Sequence, residues 1–176
     1  ALSAADKSAG MVLMCCHTAV GDLVLEAREA HGAADMPLQD IEARVKSVTP
    51  LAGDMRLLHL QTPRSNRLRF LAGQSVSLAL GEGVAASFPV ASCPCDDRNL
   101  QFHIRRRAGN AFAERVFDGL KGVDTVRIEG PRGEFVLNEA SHRPLIFIAC
   151  ETGFAPIKSL IEHAMALDAA ETLHLY

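Results

Sequence analysis

Residues 150 to 156, Cys-Glu-Thr-Gly-Phe-Ala-Pro, have the position of a turn that binds a nucleotide, although their composition makes a poor phosphate loop. An apolar run precedes them and an apolar-faced helical pattern follows, so the segment predicts strand, glycine turn and helix. In such a unit the glycine lets the backbone approach a ligand, and the helix N-terminus faces the ligand's phosphates. Glu151 is unexpected there, because a carboxylate repels a pyrophosphate unless it points away.

A second group of residues could bind an anion. Arg105, Arg106 and Arg107 are consecutive, and on a strand Arg105 and Arg107 share a face while Arg106 lies on the other. A short helical pattern begins just beyond, at Asn110, and its free N–H groups would attract phosphate. Gly109, Asn110 and Ala111 would approach that anion; the alternative is a solvated strand face.

The cysteines carry a weaker signal. Cys93 and Cys95 form a C-x-C pair that could be half of a metal site, but no second pair stands at ligand spacing. We interpret them as thiols without a metal, and none of the histidines is assigned chemistry. Five cysteines, an odd number, predict reduced thiols rather than a disulfide framework.

Composition excludes two classes of partner. The 176 residues carry a formal net charge of -3, so no basic field indicates nucleic acid. The longest apolar runs are far shorter than the roughly 20 residues of a membrane-spanning helix. We therefore expect a cytoplasmic protein with no membrane partner.

The elements that position these residues recur at a regular spacing along the chain. From Ile41 to about Leu137, apolar segments recur every 8 to 12 residues or so, separated by Gly- and Pro-rich turns, which is typical of an antiparallel barrel. Asn110 to Leu120 interrupts them as a helix capped by Asn110. Leu145 to Cys150 then predicts a strand buried on both faces. A helix starting near Ala155 and a second parallel strand complete one βαβ unit, and the helix is expected to bury five residues, Ile157, Leu160, Ile161, Ala164 and Met165.

Five motifs in this order resemble the ferredoxin-NADP reductase superfamily, in which a flavin-binding barrel precedes a nicotinamide-nucleotide domain. The resemblance runs from about Ile41 to Tyr176, and its motifs are RFLAGQSVSLAL, FPVASCP, LQFHIRR, GPRGEFVL and ETGFAPIKSLIE. It implies a six-stranded antiparallel flavin-binding β barrel followed by the start of an α/β nucleotide-binding domain.

The resemblance also implies a flavin site. Aligned on the family's R-x-Y-S pattern, Ala86 replaces the arginine, Phe88 the tyrosine and Pro89 the serine, so Phe88 is expected to stack on the ring. Thr152 and Gly153 would line the junction of flavin and nicotinamide as catalytic residues, where Glu151 could contact a ribose hydroxyl or that junction, or serve only as a helix-start acid. The implied cofactor-binding residues are Phe88, Pro89, Val90, Ala91, Ser92, His103, Ile104, Arg105, Gly109, Asn110, Ala111, Phe112 and Thr152.

The first residues resemble the end of a plant-type 2Fe-2S ferredoxin domain. Cys15 precedes Asp22 by seven residues, the separation seen after the fourth cluster cysteine, which makes Cys15 the implied metal ligand. The expected layout is a ferredoxin-like remnant and linker at 1–34, a flavin barrel at 35–140 and an incomplete βαβ unit at 141–176. We expect a fragment cut at both ends, so that the cluster belongs only to the full-length protein.

These resemblances imply an electron-transfer oxidoreductase like the reductase components of oxygenases and deoxysugar reductases. Electrons would pass from NAD(P)H through FAD, or less favourably FMN, to a 2Fe-2S centre and then to a partner oxygenase or dehydratase. Two alternatives stay open: a flavin-free regulatory or docking domain with the same fold, and an inactive fragment of an active reductase.

Overall fold

The computed structural model describes residues 3–12, 18–24, 32–81, 83–138, 141 and 143–176. Six strands in the first part of the described chain form one sheet, and two short strands near its end form another. The six are β1 Gln39–Ala52, β2 Met55–Gln61, β3 Ser75–Ala79, β4 Ala85–Pro89, β5 Asn99–Arg105 and β6 Thr125–Arg132.

The six-stranded sheet has the order β4-β3-β6-β1-β2-β5, with every neighbouring pair antiparallel. Its edge strands are β4 and β5, and the N–H of Ala91, just after β4, donates to the carbonyl of Gln101 in β5 at 2.8 Å. This bond brings the two edges together. The predicted six-stranded antiparallel barrel is confirmed.

The barrel core is built by period-two alternation. Ile41, Ala43 and Val45 in β1 are buried while the residues between them are exposed, and Leu100, Phe102 and Ile104 of β5 point inward together as predicted. Burying a side chain of this size stabilises the fold by about 1.5–3 kcal/mol relative to leaving it in water.

A helix closes one end of this core. This helix is α2, Ala111–Gly119. The first helix of the chain, α1, is short and exposed and spans Ala4–Ser8. Asn110 caps α2 as predicted, its side-chain oxygen accepting from the N–H of Ala113 at 3.0 Å. Phe112 and Val116 turn into the barrel core. The cap therefore fixes where the helix begins, and burial fixes which face looks inward.

The predicted βαβ unit is present. Strands β7, Leu145–Phe147, and β8, Leu173–Leu175, are parallel, and helix α3, Phe154–Leu167, lies between them after a 3-10 turn at Glu151–Gly153. α3 buries Ile157 and Leu160 against Ala72 of the barrel and Phe147 of β7. The barrel and the βαβ unit therefore share an apolar seam.

Two expectations for this unit are wrong. The strand is not buried on both faces: Phe147 packs into the apolar cluster with α3, but Ile146 is 65% exposed on the other side. Ile157, Leu160 and Ala164 are buried, Ile161 is half-buried and Met165 is 66% exposed. Met165 lies on the side of the helix that faces away from the seam.

The N-terminal segment has less regular structure than expected. The two short apolar runs around a small turn between Gly10 and Ala27 are typical of two strands, yet residues 10–12 and 18–24 contain none. The rest of that segment, including Cys15, lies outside the described residues. The ferredoxin-like assignment of 1–34 and the other two domain boundaries stay predictions. Across the described ranges, no helix is both long and apolar enough to span a bilayer.

Candidate active site

A cleft of about 310 Å³ opens where the barrel meets the turn before α3. Its volume is at the lower end of the range for small-molecule sites. Strand β4, the end of β5, the start of α2 and the 3-10 turn all contribute to its wall. The lining residues are Ser87, Phe88, Pro89, His103, Arg105, Arg107, Asn110, Thr152, Gly153 and Pro156.

Seven of the residues that sequence analysis assigned to the site lie in this wall. They come from segments more than forty residues apart, and the fold brings them together. The seven are Phe88, Pro89, His103, Arg105, Asn110, Thr152 and Gly153.

Strand alternation decides which residues of β4 face the cleft. Phe88 and Val90 point into the core, with Phe88 9% exposed and its ring 5.4 Å from that of Phe112. Ser87 is exposed and Pro89 half-buried on the opposite side. Phe88 therefore offers only a small part of its ring to a ligand. Sequence reasoning missed Ser87, although the period-two pattern around Phe88 indicates it.

The other seven assigned residues do not line the cleft. Val90, Ile104 and Phe112 are fully buried in the barrel core, and Ala91 is fully buried as well. The hydroxyl of Ser92 accepts from the N–H of Gln101 at 3.2 Å, and its carbonyl accepts from Ser159 of α3. Gly109 and Ala111 are exposed beside the cleft without being part of its wall.

Arg105 is held between two carboxylates. Its Nε donates to Asp54 at 2.6 Å, and its Nη1 pairs with Glu151 across the cleft. The guanidinium lowers the pKa of the Asp54 carboxyl below its ordinary value, chiefly through this hydrogen bond. The two acidic partners in turn raise the pKa of Arg105. The charge of Arg105 is thus neutralised within the protein, which weakens its case as a phosphate ligand.

Glu151 has a defined role in this arrangement. Its backbone adopts a left-handed conformation, with φ of 52°, and its side chain turns toward Arg105. A non-glycine residue is rarely found in this region. The carboxylate is therefore directed to the barrel wall. The ion pair explains why an acid is tolerated in this turn, which the sequence left open.

Arg107 is the available cation at the cleft. It lines the wall together with Arg105 and is exposed, although β5 ends at Arg105 and does not include Arg107 as the strand expectation required. Beside it, the first N–H groups of α2 have no partner inside the helix, and the Asn110 side chain accepts a hydrogen bond from only one of them, the N–H of Ala113. A guanidinium next to a helix N-terminus is well suited to a phosphate group.

His103 is a buried, neutral side chain in the wall. Burial lowers its pKa below the ordinary value, and the nearby Lys158 ammonium lowers it further. Its Nδ1 is buried without a hydrogen-bond partner, and its ring stacks on Phe154 with centroids 6.2 Å apart. In β2, burial likewise lowers the pKa of His59, with Lys46 adding to the effect.

We expect the protein to lose stability as the pH falls through the range in which histidine side chains take up a proton. In the folded protein the pKa values of His103 and His59 lie below the ordinary value of about 6.5. As the pH falls, the unfolded chain therefore binds protons before the folded protein does, and the stability contributed by these histidines is fully present only above that pH. The urea midpoint should be lower at about pH 5.5 than at about pH 7.5. His103→Gln should flatten this dependence, whereas the exposed His174→Gln should not. Equal midpoints at both pH values would contradict the assignment.

The cysteines differ from expectation. The structure joins Cys93 and Cys95 in a disulfide, so the prediction of reduced thiols is wrong for this pair; Cys150 is free and exposed. His163 of α3, given no role from sequence, lies with its Nδ1 3.7 Å from the sulfur of Cys93. The sequence could not show this contact, since the two residues are 70 positions apart.

Residues 42–137 match the oxidoreductase FAD-binding domain family, which accounts for more than half of the chain. The chain belongs to that family. The match contains β4, β5 and α2, the barrel elements that form the cleft, and it confirms the resemblance inferred from the motifs.

Curated relatives of the chain include reductases. It is 29% identical over 175 residues to the CDP-6-deoxy-L-threo-D-glycero-4-hexulose-3-dehydrase reductase of Yersinia pestis, covering 99% of this chain and 53% of that protein. It is 34% identical over 151 residues to reductase component 1 of terephthalate 1,2-dioxygenase from a Comamonas species, covering 86% and 45%. The chain spans about half the length of the curated relatives it matches.

Solved structures agree on the fold. An Amycolatopsis cytochrome P450 reductase superposes with a TM-score of 0.73 at 30% identity, over 99% of this chain and 54% of that one. Phthalate dioxygenase reductase superposes with a TM-score of 0.69 at 21% identity, over 78% and 43%. At that identity the second likeness shows the fold alone, including the barrel followed by an α/β region.

The donor set of the cleft fits FAD in part. Arg107 and the start of α2 can hold a phosphate, Ser87 and Thr152 contribute hydroxyls, and Pro89 and Pro156 offer apolar contact. Ala86 brings no charge where the family has an arginine, and Pro89 has no N–H to donate. Among the described residues that line the cleft, Arg107 is the exposed cation, whereas Arg105 is paired with Asp54 and Glu151.

Proposed function

We propose that this chain forms the flavin-binding core of an NAD(P)H-dependent reductase. Electrons would pass from NAD(P)H through FAD to a 2Fe-2S centre, and from there to a partner oxygenase or dehydratase. The observation that carries the proposal is the cleft itself, where the FAD-family barrel meets the glycine turn of a βαβ unit. A protein that uses NAD(P)H in this way would act in the cytoplasm, where that reductant is available.

FAD, when bound, accepts a hydride and releases electrons one at a time. The residues of this chain supply binding and position. Arg107 and the N-terminus of α2 would hold a phosphate, while the Ser87 side of β4 would contact the ring. Thr152 and Gly153 are on the facing wall, at the entrance from the βαβ unit, and are the proposed catalytic pair.

His103 and the Arg105 ion pairs would keep the inner part of the cleft uncharged. The imidazole is neutral because its pKa is lowered by burial, and Arg105 is balanced by Asp54 and Glu151. A neutral wall suits a flavin ring, which is largely apolar, whereas the free charge of Arg107 is at the exposed rim. The cleft is thus divided into a ring region and a phosphate region.

The test is a flavin titration followed by fluorescence quenching, using FAD and FMN separately. We expect saturable binding with FAD tighter than FMN. Arg107→Ala should weaken FAD binding roughly 10-fold or more, because it removes a charge-assisted hydrogen bond worth about 1.5–3 kcal/mol. A folded protein that quenches neither flavin would contradict the proposal and favour the flavin-free docking domain.

Arg106→Ala is the matched control. It removes the same charge one position away, but Arg106 does not line the cleft; its guanidinium is 3.7 Å from Asp118 and stacks over Phe117. FAD affinity should be almost unchanged in this variant. If both substitutions weaken binding equally, the effect is one of net charge, and Arg107 has no specific contact with the phosphate.

A further inference from the structure

A cluster of two sulfurs and an imidazole lies at the seam between the barrel and α3, in a part of the molecule that the proposed function does not use. Cys93 and Cys95 flank the start of the 3-10 turn Pro94–Asp96, and His163 is in the third turn of α3. The Nδ1 of His163 is 3.7 Å from the sulfur of Cys93 and 4.0 Å from that of Cys95. All three atoms lie within 4.8 Å of one another.

We propose that Cys93, Cys95 and His163 bind a thiophilic divalent cation such as Zn²⁺ when the two cysteines are reduced, and that the ion fastens α3 to the barrel. Thiolate sulfur and imidazole nitrogen are the usual protein ligands of zinc. In tetrahedral coordination, with bonds of about 2.3 Å to sulfur and about 2.0 Å to nitrogen, these two atoms lie about 3.5 Å apart. The observed sulfur-to-nitrogen separations of 3.7 and 4.0 Å are close to this value.

The elements on both sides of the cluster are already fixed. The hydroxyl of Ser159, buried in α3, donates to the carbonyl of Ser92 at 2.7 Å, and Lys158 donates to the carbonyl of Ala91 at 3.1 Å. Ser159 and His163 are four residues apart, so they share one helix face. The histidine is therefore held over residues 91–93 before any ion binds, which reduces the entropy cost of binding.

The hydrogen bonds made by the backbone of the two cysteines suit a metal thiolate. The N–H of Cys95 donates to the sulfur of Cys93 at 3.2 Å, and the N–H of Cys93 donates to Glu162 at 3.1 Å. Such contacts orient ligands and tune a metal site. The second carboxylate oxygen of Glu162 pairs with Lys158, so we assign three protein ligands and leave the fourth position to water.

The disulfide and the metal complex are mutually exclusive states of the same pair. Two molecules of a small thiol reduce the Cys93–Cys95 bond, giving two protein thiols and one small-molecule disulfide. Zinc then binds the two sulfurs and His163, and the two thiol protons are released. In either state the loop at 93–95 is closed on itself, but only the metal complex joins its two sulfurs to α3.

Cobalt provides the direct test, because Co²⁺ bound to thiolates gives a charge-transfer band in the near ultraviolet. The chain, reduced with a phosphine and handled without oxygen, should bind one equivalent of Co²⁺ with this band, and Zn²⁺ should displace it. The band should be lost in Cys95→Ser and strongly reduced in His163→Gln. Cys95 is exposed and His163 half-buried, so both variants should fold.

Control variants separate this cluster from the other cysteines and histidines. Cys150→Ser, His174→Gln and the double variant Cys15→Ser/Cys16→Ser should all keep the band. Zinc should also raise the thermal midpoint of the reduced chain but not that of Cys95→Ser. The proposal fails if the reduced chain shows no band, if Cys95→Ser retains it, or if it disappears with Cys15 and Cys16.

Discussion

Replacing Gly73 with alanine should lower the free energy of unfolding by about 3 kcal/mol or more, because two costs add at this position. The backbone has φ of +93°, which side-chain-bearing residues rarely adopt, and a Cβ would lie 2.0 Å from the carbonyl oxygen of Phe135. The nearest side-chain atom to that Cβ would be Cδ2 of Leu160 in α3, at 3.3 Å. The substitution would therefore displace atoms of the seam as well as of the barrel. Urea unfolding followed by circular dichroism measures the loss.

Gly53→Ala is the control for this substitution. Gly53 joins β1 and β2, has no positive φ, and a Cβ there would meet no atom within 4 Å. We expect a change within about 0.5 kcal/mol, which is the usual range for surface positions. If Gly73→Ala and Gly53→Ala have the same effect, the close approach of the 72–73 turn to Phe135 is not present in solution.

Replacing Phe112 with alanine should cost about 3–5 kcal/mol of stability while changing FAD affinity per folded molecule much less. Its ring is fully buried between α2 and the barrel, against Phe88, and removing it leaves a cavity. For a domain whose total stability is about 5–15 kcal/mol, this is a large share. Denaturant titration gives the stability, and flavin titration of the folded fraction gives the affinity.

The matched control is Phe135→Ala, which removes the same side chain from a position that is 57% exposed. Its stability should change little. A Phe112→Ala protein of unaltered stability that no longer binds FAD would instead support the direct ligand contact that the sequence resemblance implied for Phe112.

The barrel could be predicted from sequence because each strand carries its own signal. Leu100, Phe102 and Ile104 alternate with polar residues, and Asn110 begins a helical pattern at a capping residue, so local residues are enough to specify these elements. The order of the motifs then indicated the family. The strand and helix signals are each contained within about ten residues.

The details of the site were harder to predict because they depend on contacts between distant segments. Glu151 meets Arg105 across 46 positions and His163 meets Cys93 across 70, and no local pattern records either pair. The resemblance also assigned consecutive residues to the flavin, such as Pro89 and Val90. On a strand these neighbours face opposite ways, so half of such a run is directed into the core.

The order of the strands has a consequence for the newly made chain. β1 and β3 both pair with β6, whose last residue comes 80 residues after the end of β1 (132 − 52). At a synthesis rate of about 5–20 residues per second, β1 waits roughly 4–16 seconds for that partner. During this interval two strand edges on the ribosome-bound chain are open to pairing with other nascent polypeptides, so a chaperone that covers them would improve the yield of native protein.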